Sequence, residues 1–305
     1  MNTWSLVYLT GACLLAAIRS EMASTVQYQS NSVRHTIVVA HEDDWQLFMG
    51  DRVGMGLAAG DTTTLVYLTA GDDGRDSLYW RTRERAALQS TRFAITPASP
   101  GLGPSCADTV VHRHTIRACS LANTTSFFLR LPDGRRNGSG FDRYSRESLR
   151  KLRTKKIRTI TAVDRSATYE GWTDLVETVS ELIGTSRQNT NVMVHTTDPS
   201  ITINPHDHFD HRMAGLLVAD ARKSNAWDVT YYVGYALATR AANRSTAQAR
   251  TKGVIFRAYD AEMIAGNKAW SAYAEHPAFY SQCMLRTYYR RVAKSPAQQK
   301  ISSAN

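Results

Sequence analysis

The 305-residue sequence lacks the short motifs that mark the most common nucleotide-binding proteins. No G-x-G-x-x-G or Walker sequence follows a predicted strand, so the sequence does not indicate a nucleotide cofactor. There is also no stripe of basic residues interleaved with aromatics, and we therefore expect no nucleic-acid partner although the formal net charge is +10. The excess of Lys and Arg favours anionic partners in general. The alternative is a basic surface that binds no partner.

The N-terminal region lacks charge and falls short of a membrane span. Residues 4–18 form an uncharged apolar run, whereas a helix that crosses a bilayer needs about 20 residues. The run has the length of the hydrophobic part of a signal peptide. We predict a signal peptide or N-terminal anchor over residues 1–25, and hence a secreted or cell-envelope protein. An anchor would bring membrane contact, and a buried N-terminal segment is the alternative.

Cysteine is scarce, with four residues at positions 13, 106, 119 and 283. Cys13 would leave with a cleaved signal peptide. Cys106 and Cys119 bracket a short segment that a disulfide could close in an oxidising compartment. The sequence alone leaves open whether they are bonded.

Strand-like and helix-like runs alternate along the rest of the chain, which predicts one α/β domain over residues 33–295 with a mostly parallel sheet flanked by helices. A tail follows over residues 296–305. Strands are predicted at 35–40, 63–70, 110–118, 126–131, 157–163, 192–197 and 229–236, helices at 77–91, 145–155, 173–184 and 211–223, and the last 60 or so residues are expected to be helical.

The first predicted strand runs directly into a charged stretch, Ala40-His41-Glu42-Asp43-Asp44-Trp45. Ligands of open parallel sheets gather beyond the carboxyl ends of the strands, so His41 lies where chemistry is expected. If a helix starts here, His41 and Asp44 are three residues apart and can converge on one metal ion, while Asp43 stays free to handle protons. The alternative is that Asp43 or Asp44 only caps the helix.

A second polar stretch, NPHDHFDHRMAG at 204–215, follows the predicted strand 192–197. His211 opens the next helix, whose N-terminus would disfavour imidazolium and keep the ring neutral as a metal ligand must be. His208 lies on the loop side, where a protonatable imidazole could serve a substrate. Asp210 is either a helix cap or a carboxylate that orients a histidine. A solvated polar loop is the alternative.

Together, the two stretches resemble the LmbE/PIG-L family of zinc-dependent de-N-acetylases. The family motif A-H-P-D-D-E corresponds to residues 40–45, and H-x-D-H corresponds to residues 208–211. Weaker resemblance lies in TAGDDGRD (69–76), in R-x-x-E (81–84) and in YYVGY (231–235). Two departures stand out, because Glu42 replaces the proline of the first motif and Trp45 replaces its last glutamate.

The resemblance implies a Rossmann-like sheet and a single zinc, or another divalent metal, held by His41, Asp44 and His211. It also implies Asp43 as the general base and His208 as the histidine that faces the reaction.

On the substrate side, the resemblance makes Arg81 a contact for a sugar or for its anionic aglycone. Trp45 could stack on a sugar ring, or it could simply cover the first helix. The implied activity is removal of an N-acetyl group from an N-acetylglucosamine-type substrate by zinc-activated water. Two alternatives stay open, a metal hydrolase of another amide or ester and a carbohydrate-binding protein without turnover.

Overall fold

The computed structural model describes residues 34–95, 103–184, 192–225, 227–267 and 270–294. The strands, in chain order, are β1 (Arg34–Val39), β2 (Thr63–Thr69), β3 (Ser105–Val111), β4 (His114–Leu121), β5 (Thr124–Leu131), β6 (Thr159–Thr161), β7 (Thr168–Glu170), β8 (Val192–Thr197), β9 (Asp228–Tyr232) and β10 (Tyr289–Val292). The α-helices are α1 (Asp44–Ala59), α2 (Ser77–Ile95), α3 (Leu149–Arg153), α4 (Gly171–Gly184), α5 (Phe209–Arg222), α6 (Thr246–Gly266), α7 (Ala272–Glu275) and α8 (Pro277–Met284).

The main sheet has eight strands in the order β10-β9-β8-β1-β2-β5-β4-β3. The five central strands, from β9 to β5, pair in parallel, while β10 at one edge and the β4–β3 hairpin at the other are antiparallel. The prediction of a single α/β domain with a mostly parallel sheet is confirmed. The strands β2 to β5 lie on one side of β1. The later strands β8, β9 and β10 lie on its other side. The crevice beyond β1 and β8 is therefore the switch point at which such folds bind ligands.

Helices cover both faces of the sheet, which is why its central strands are apolar on both sides. Along β1, Val38 packs with α4 and α5 on one face, whereas Ile37 and Val39 pack with α1, α2 and α6 on the other. Gly60 ends α1 in the left-handed conformation, with a φ of 83°, and its N–H bonds back to carbonyls of the last turn.

Several segments differ from the predicted pattern, among them the predicted helix 145–155, which shortens to α3. The predicted strand 110–118 is divided by His112 and Arg113, whose φ angles of 45° and 68° make the two-residue turn between β3 and β4. The predicted strand 157–163 shortens to β6, which pairs only with β7 outside the main sheet. The described part of the C-terminal region is mostly helical as predicted, but its last element is the edge strand β10.

Cys106 and Cys119 face each other on β3 and β4 and are joined by a disulfide. Cys283 is buried and free. The predicted signal or anchor at 1–25 and the predicted tail at 296–305 lie outside the described residues. Within the described ranges, no helix is both long enough and apolar enough to cross a membrane.

Candidate metal centre and active site

The histidines and acids of the two sequence motifs meet at the switch point of the sheet. His41 is the second residue after β1, and Asp44 begins α1. His211 lies in the first turn of α5, the helix that follows β8. Because β1 and β8 are adjacent and parallel, their carboxyl ends bring the two motifs together from positions 170 residues apart.

Three donor atoms converge there. Nδ1 of His41 lies 3.1 Å from Nε2 of His211 and 3.6 Å from Oδ1 of Asp44, and the last two atoms lie 3.0 Å apart. All three residues are buried. A tetrahedral zinc with bonds of about 2.0–2.1 Å holds its ligand atoms roughly 3.3 Å from one another. The spacing of the three atoms therefore fits a zinc ion.

The hydrogen bonds around the trio leave the correct atoms free for a metal. Oδ2 of Asp44 accepts from the backbone N–H groups of Ala40 and His41, at 3.0 and 2.9 Å, so Oδ1 is left for a cation. The same bonds show that Asp44 does not act as a side-chain cap of α1. Nδ1 of His211 lies 3.0 Å from Oδ1 of Asp207, which fixes the proton on Nδ1 and leaves the Nε2 lone pair free.

A second buried group lies on the other side of the His41 ring and comprises Asp133, His208 and Asp210. Nε2 of His41 is 3.6 Å from a carboxylate oxygen of Asp133 and 3.6 Å from one of Asp210. Asp210 also accepts from the N–H of Gly134 at 2.7 Å. With a metal on Nδ1 of His41, a proton on Nε2 would point between the two carboxylates. This group therefore suits orientation of His41 better than it suits a second metal.

The carboxylates around the trio favour positive charge on both of its histidines. Burial lowers the pKa of His211, but Asp44 and Asp207 outweigh it and raise that pKa to about 10. Burial also lowers the pKa of His41, but Asp44, Asp210 and Asp133 outweigh burial and hold that pKa well above its ordinary value. The expected effect of the helix N-terminus on His211 is thus reversed by two carboxylates. A binding cation would displace these protons.

His208 occupies the N-cap position of α5, where its Nδ1 accepts from the backbone N–H of Asp210 at 3.2 Å. This bond assigns the ring proton to Nε2, which points toward Asp133 at 3.7 Å. Burial, His41 and His211 together hold the pKa of His208 well below its ordinary value. His208 is therefore a neutral imidazole with one N–H to donate.

Asp43 lies beside the trio without joining it, and its carboxylate pairs with Arg83 of α2. The sequence predicted a free carboxylate here, whereas the structure gives it a guanidinium partner. Asp43 also occupies the N-cap position of α1, but its side chain makes no capping hydrogen bond.

The two residues proposed to contact the substrate lie away from the trio. Trp45 is fully buried, and its indole N–H donates to the hydroxyl of Tyr67 at 3.0 Å. It therefore presents no surface to a sugar and acts as the hydrophobic cover of α1. Arg81 is exposed, and its guanidinium lies over the ring of Trp80 at 5.1 Å. Arg83, two residues later, reaches the site instead.

Aromatic side chains flank the site. Tyr235 lies edge-on to His211, with ring centroids 4.9 Å apart, and Phe279 contacts Tyr235 at 5.3 Å. Tyr79 packs against Trp270 at 5.5 Å. The hydroxyls of Tyr79 and Tyr235 make no hydrogen bond within the described residues, so both remain available to a ligand.

Sequence reasoning missed three residues of the site, Arg83, Asp133 and Asp207. Asp207 belongs to the polar stretch 204–215, and Asp133 follows the end of β5, so position at a strand end could have indicated both. Arg83 carries no such signal because it lies inside a helix.

The sequence matches the GlcNAc-PI de-N-acetylase (PIG-L) family over residues 36–222, which is more than half of the chain. No curated protein matches it.

Solved structures of similar fold include the N,N'-diacetylchitobiose deacetylase from Pyrococcus horikoshii, with 12% identity and a TM-score of 0.47 over 96% of this chain and 94% of that one. The zinc-inhibited form of teicoplanin deacetylase has 12% identity and a TM-score of 0.42 over 76% of this chain and 85% of that one. A 4-carboxy-2-hydroxymuconate hydratase from Pseudomonas putida has 13% identity and a TM-score of 0.40 over 82% of both chains. These likenesses are too distant to identify a reaction. The family match confirms the predicted resemblance, and the chain belongs to the PIG-L (LmbE-like) family.

Proposed function

We propose that the protein is a zinc-dependent hydrolase that removes the N-acetyl group from an N-acetylglucosamine-type sugar or glycoconjugate. The observation that carries the proposal is the trio of His41, Asp44 and His211, whose three free donor atoms lie 3.0–3.6 Å apart beside the carboxylate of Asp43. Three protein ligands are the number that hydrolytic zinc sites use, because the fourth position is kept for water or substrate.

Zinc, when bound, would acidify water and polarise the amide carbonyl. Asp43 would accept the proton of the attacking water as general base. To stabilise the oxygen on which negative charge develops, the Nε2–H of His208 would have to turn from Asp133 toward that oxygen. Because His208 is neutral, protonated Asp43 is the better donor of a proton to the departing amine. Acetate and a free amino sugar would be the products.

The aromatic flank supports a sugar as the substrate. Aromatic faces offer apolar contact, and unpaired phenol hydroxyls offer hydrogen bonds, which together suit a pyranose ring. Trp270 and Phe279 are only partly buried, so both can contact a ligand. The guanidinium of Arg75 lies over both Tyr79 and Trp270 and 3.4 Å from a carboxylate oxygen of Asp73, so an anionic aglycone there would share Arg75 with Asp73. The burial of Trp45 removes the feature that favoured a binding protein without turnover.

Acetate release from a panel of N-acetylated amino sugars and glycoconjugates tests the proposal. We expect release from at least one N-acetylglucosamine-type compound, loss of release with a chelator, and recovery on addition of zinc. Release from unrelated acetate esters or amides alone would favour a different hydrolase. Zinc binding with no release from any compound would leave only a binding function.

We also propose that the protein is exported. The apolar run at residues 4–18 and the Cys106–Cys119 disulfide support this, since disulfides persist mainly in oxidising compartments. N-terminal sequencing of the mature protein should begin between about residue 17 and residue 30. An intact Met1 on a soluble protein from the cytoplasm would contradict export.

A further inference from the structure

Arg83 connects three groups beside the proposed catalytic centre. One end of its guanidinium pairs with Oδ1 of Asp43, and Nη1 donates to the carbonyl of Gly71 at 3.2 Å. Nε lies 3.0 Å from Oε2 of Glu42. The Arg83 side chain is only 11% exposed, so these contacts lie largely out of water. The guanidinium is therefore held from three directions.

The backbone at Gly71 leaves just enough space for this arrangement. Gly71 has a φ of 51°, and a Cβ there would lie 2.6 Å from Oε2 of Glu42 and 2.9 Å from Cζ of Arg83. A larger residue would push the carboxylate and the guanidinium apart. The loop after β2 is thus shaped around the contact between Glu42 and Arg83.

Glu42 stands where the related motif has proline. It is fully buried, and its carboxylate oxygens accept no hydrogen bond within the described residues. A buried carboxyl group needs a cationic or hydrogen-bonding partner, and the guanidinium of Arg83 is the one that lies against it. At the position where the motif has proline, this chain therefore places a buried carboxyl group against Arg83.

We propose that Arg83 is a positioning residue that acts through Asp43. The inference rests on the proposed function, because it concerns the base of that reaction. The guanidinium fixes Oδ1 of Asp43, and Oδ2, which makes no hydrogen bond within the described residues, is left to accept a proton. A planar guanidinium can hold Asp43, Glu42 and the Gly71 carbonyl at once, whereas an ammonium group cannot do so with the same geometry. Glu42 and Gly71 hold Arg83 in turn.

A double-mutant cycle between Asp43 and Arg83 tests this. We expect Arg83→Gln to lower kcat by about 10- to 100-fold, the size of loss that misplacement of a catalytic group produces, with little change in KM and full zinc content. In an Asp43→Asn background, Arg83→Gln should cause no further loss, because the group through which it acts has gone. Arg83→Lys should recover part of kcat. Arg85→Gln, an exposed position on the same helix, is the matched control and should behave like the parent.

The same four proteins of the cycle provide a readout without turnover. Because Asp43 and Arg83 contact each other, their separate losses of Tm should not add in the double variant. The inference is overturned if Arg83→Gln keeps the parent's kcat, if the two kcat losses multiply, or if the Tm losses add. Should Arg83→Gln fail to fold, a kcat for Arg83→Lys equal to the parent's would overturn it. If the parent releases no acetate, the proposed function and this inference are both refuted. If the parent is active but the kcat losses multiply or the Tm losses add, this inference alone is refuted.

Discussion

At the scale of single residues, the structure separates the two adjacent acids of the first motif. Asp44 turns into the trio, where backbone N–H groups of Ala40 and His41 orient it. Asp43 turns the other way, toward Arg83. The sequence predicted this division from helical spacing, but α1 begins only at Asp44, and the turn before the helix brings His41 to Asp44. The partner of Asp43 could not be predicted, since Arg83 comes from a different helix.

Loss of His211 should empty the metal site. His211→Ala removes the donor that is held between Asp44 and Asp207, so most bound zinc should be lost, as measured by metal analysis after dialysis. His206→Ala is the matched control, because His206 is an exposed histidine of the same loop outside both buried groups. Stoichiometric zinc in His211→Ala would contradict the proposed ligand set.

Loss of the Asp43 carboxylate should stop turnover without emptying the site. Asp43→Asn keeps size and shape, so zinc content should match the parent while kcat falls by about 10²- to 10⁴-fold, the usual contribution of general acid–base catalysis. Acetate release and metal analysis of the same sample provide both values. An empty metal site in Asp43→Asn, or a kcat equal to the parent's, would contradict the roles assigned to Asp43 and Asp44.

At the scale of elements, the position of α5 depends on a close approach to the end of β8. A Cβ on Gly215 would lie 2.2 Å from the carbonyl oxygen of Thr197, so only glycine lets α5 lie this near. The hydroxyl of Thr197 in turn donates to the carbonyl of His211. The strand and the helix were both predictable from their patterns. The contact that aligns His211 was not, because a glycine in a helix carries no unique signal.

Gly215→Ala should therefore move α5 away from β8. We expect destabilisation by about 1–3 kcal/mol, typical of an overpacked site, together with weaker zinc binding because His211 moves with the helix. Thermal unfolding and zinc titration measure the two effects. Gly184→Ala, at the end of α4 where the nearest atom of the described residues is 4.0 Å from the added carbon, should change neither. Normal zinc affinity in Gly215→Ala would show that zinc binding does not depend on how closely α5 lies to β8.

The elements after β9 lie beyond the residues that match the family, yet they supply part of the aromatic flank. Substrate preference therefore need not follow the family description. Trp270→Ala should raise KM for an N-acetylated sugar several-fold with little change in kcat, because the ring would contact the substrate away from the reacting atoms. Trp172→Ala, a partly buried tryptophan on α4 that packs on the other face of the sheet, serves as the control. An unchanged KM for Trp270→Ala would show that the sugar does not contact Trp270.

At the scale of the whole molecule, alternating strand-like and helix-like runs predicted the architecture, because the central strands are apolar on both faces and a long helix follows each of β1, β2 and β8. The order of the strands was not predictable. The β3–β4 hairpin extends one edge by pairing with β5, the next strand in the chain, whereas β10 extends the other edge by pairing with β9, which is distant in sequence. The active centre follows from this order, since only adjacency of β1 and β8 brings the two motifs together.

A buried network through the sheet should make overall stability depend on pH. Nε2 of His195 on β8 lies 3.0 Å from Nδ1 of His35 on β1, and its Nδ1 lies 3.0 Å from the hydroxyl of Tyr232 on β9. Burial, followed by His35, Arg52 and Arg291, holds the pKa of His195 well below its ordinary value of 6.5. Below pH 6.5 the unfolded chain binds a proton that the folded chain excludes, so stability falls as pH falls.

The expected loss from His195 is about 1 kcal/mol of unfolding free energy between pH 6.5 and pH 5.5, since each pH unit below an unfolded pKa approaches about 1.4 kcal/mol for one proton. Urea unfolding at the two pH values measures it. His195→Gln removes the titrating group while keeping a polar side chain, so its stability should fall by about 1 kcal/mol less than the parent's over the same interval. His206→Gln, at an exposed histidine, should follow the parent. Equal pH dependence in His195→Gln and the parent would show that the buried network does not control acid stability.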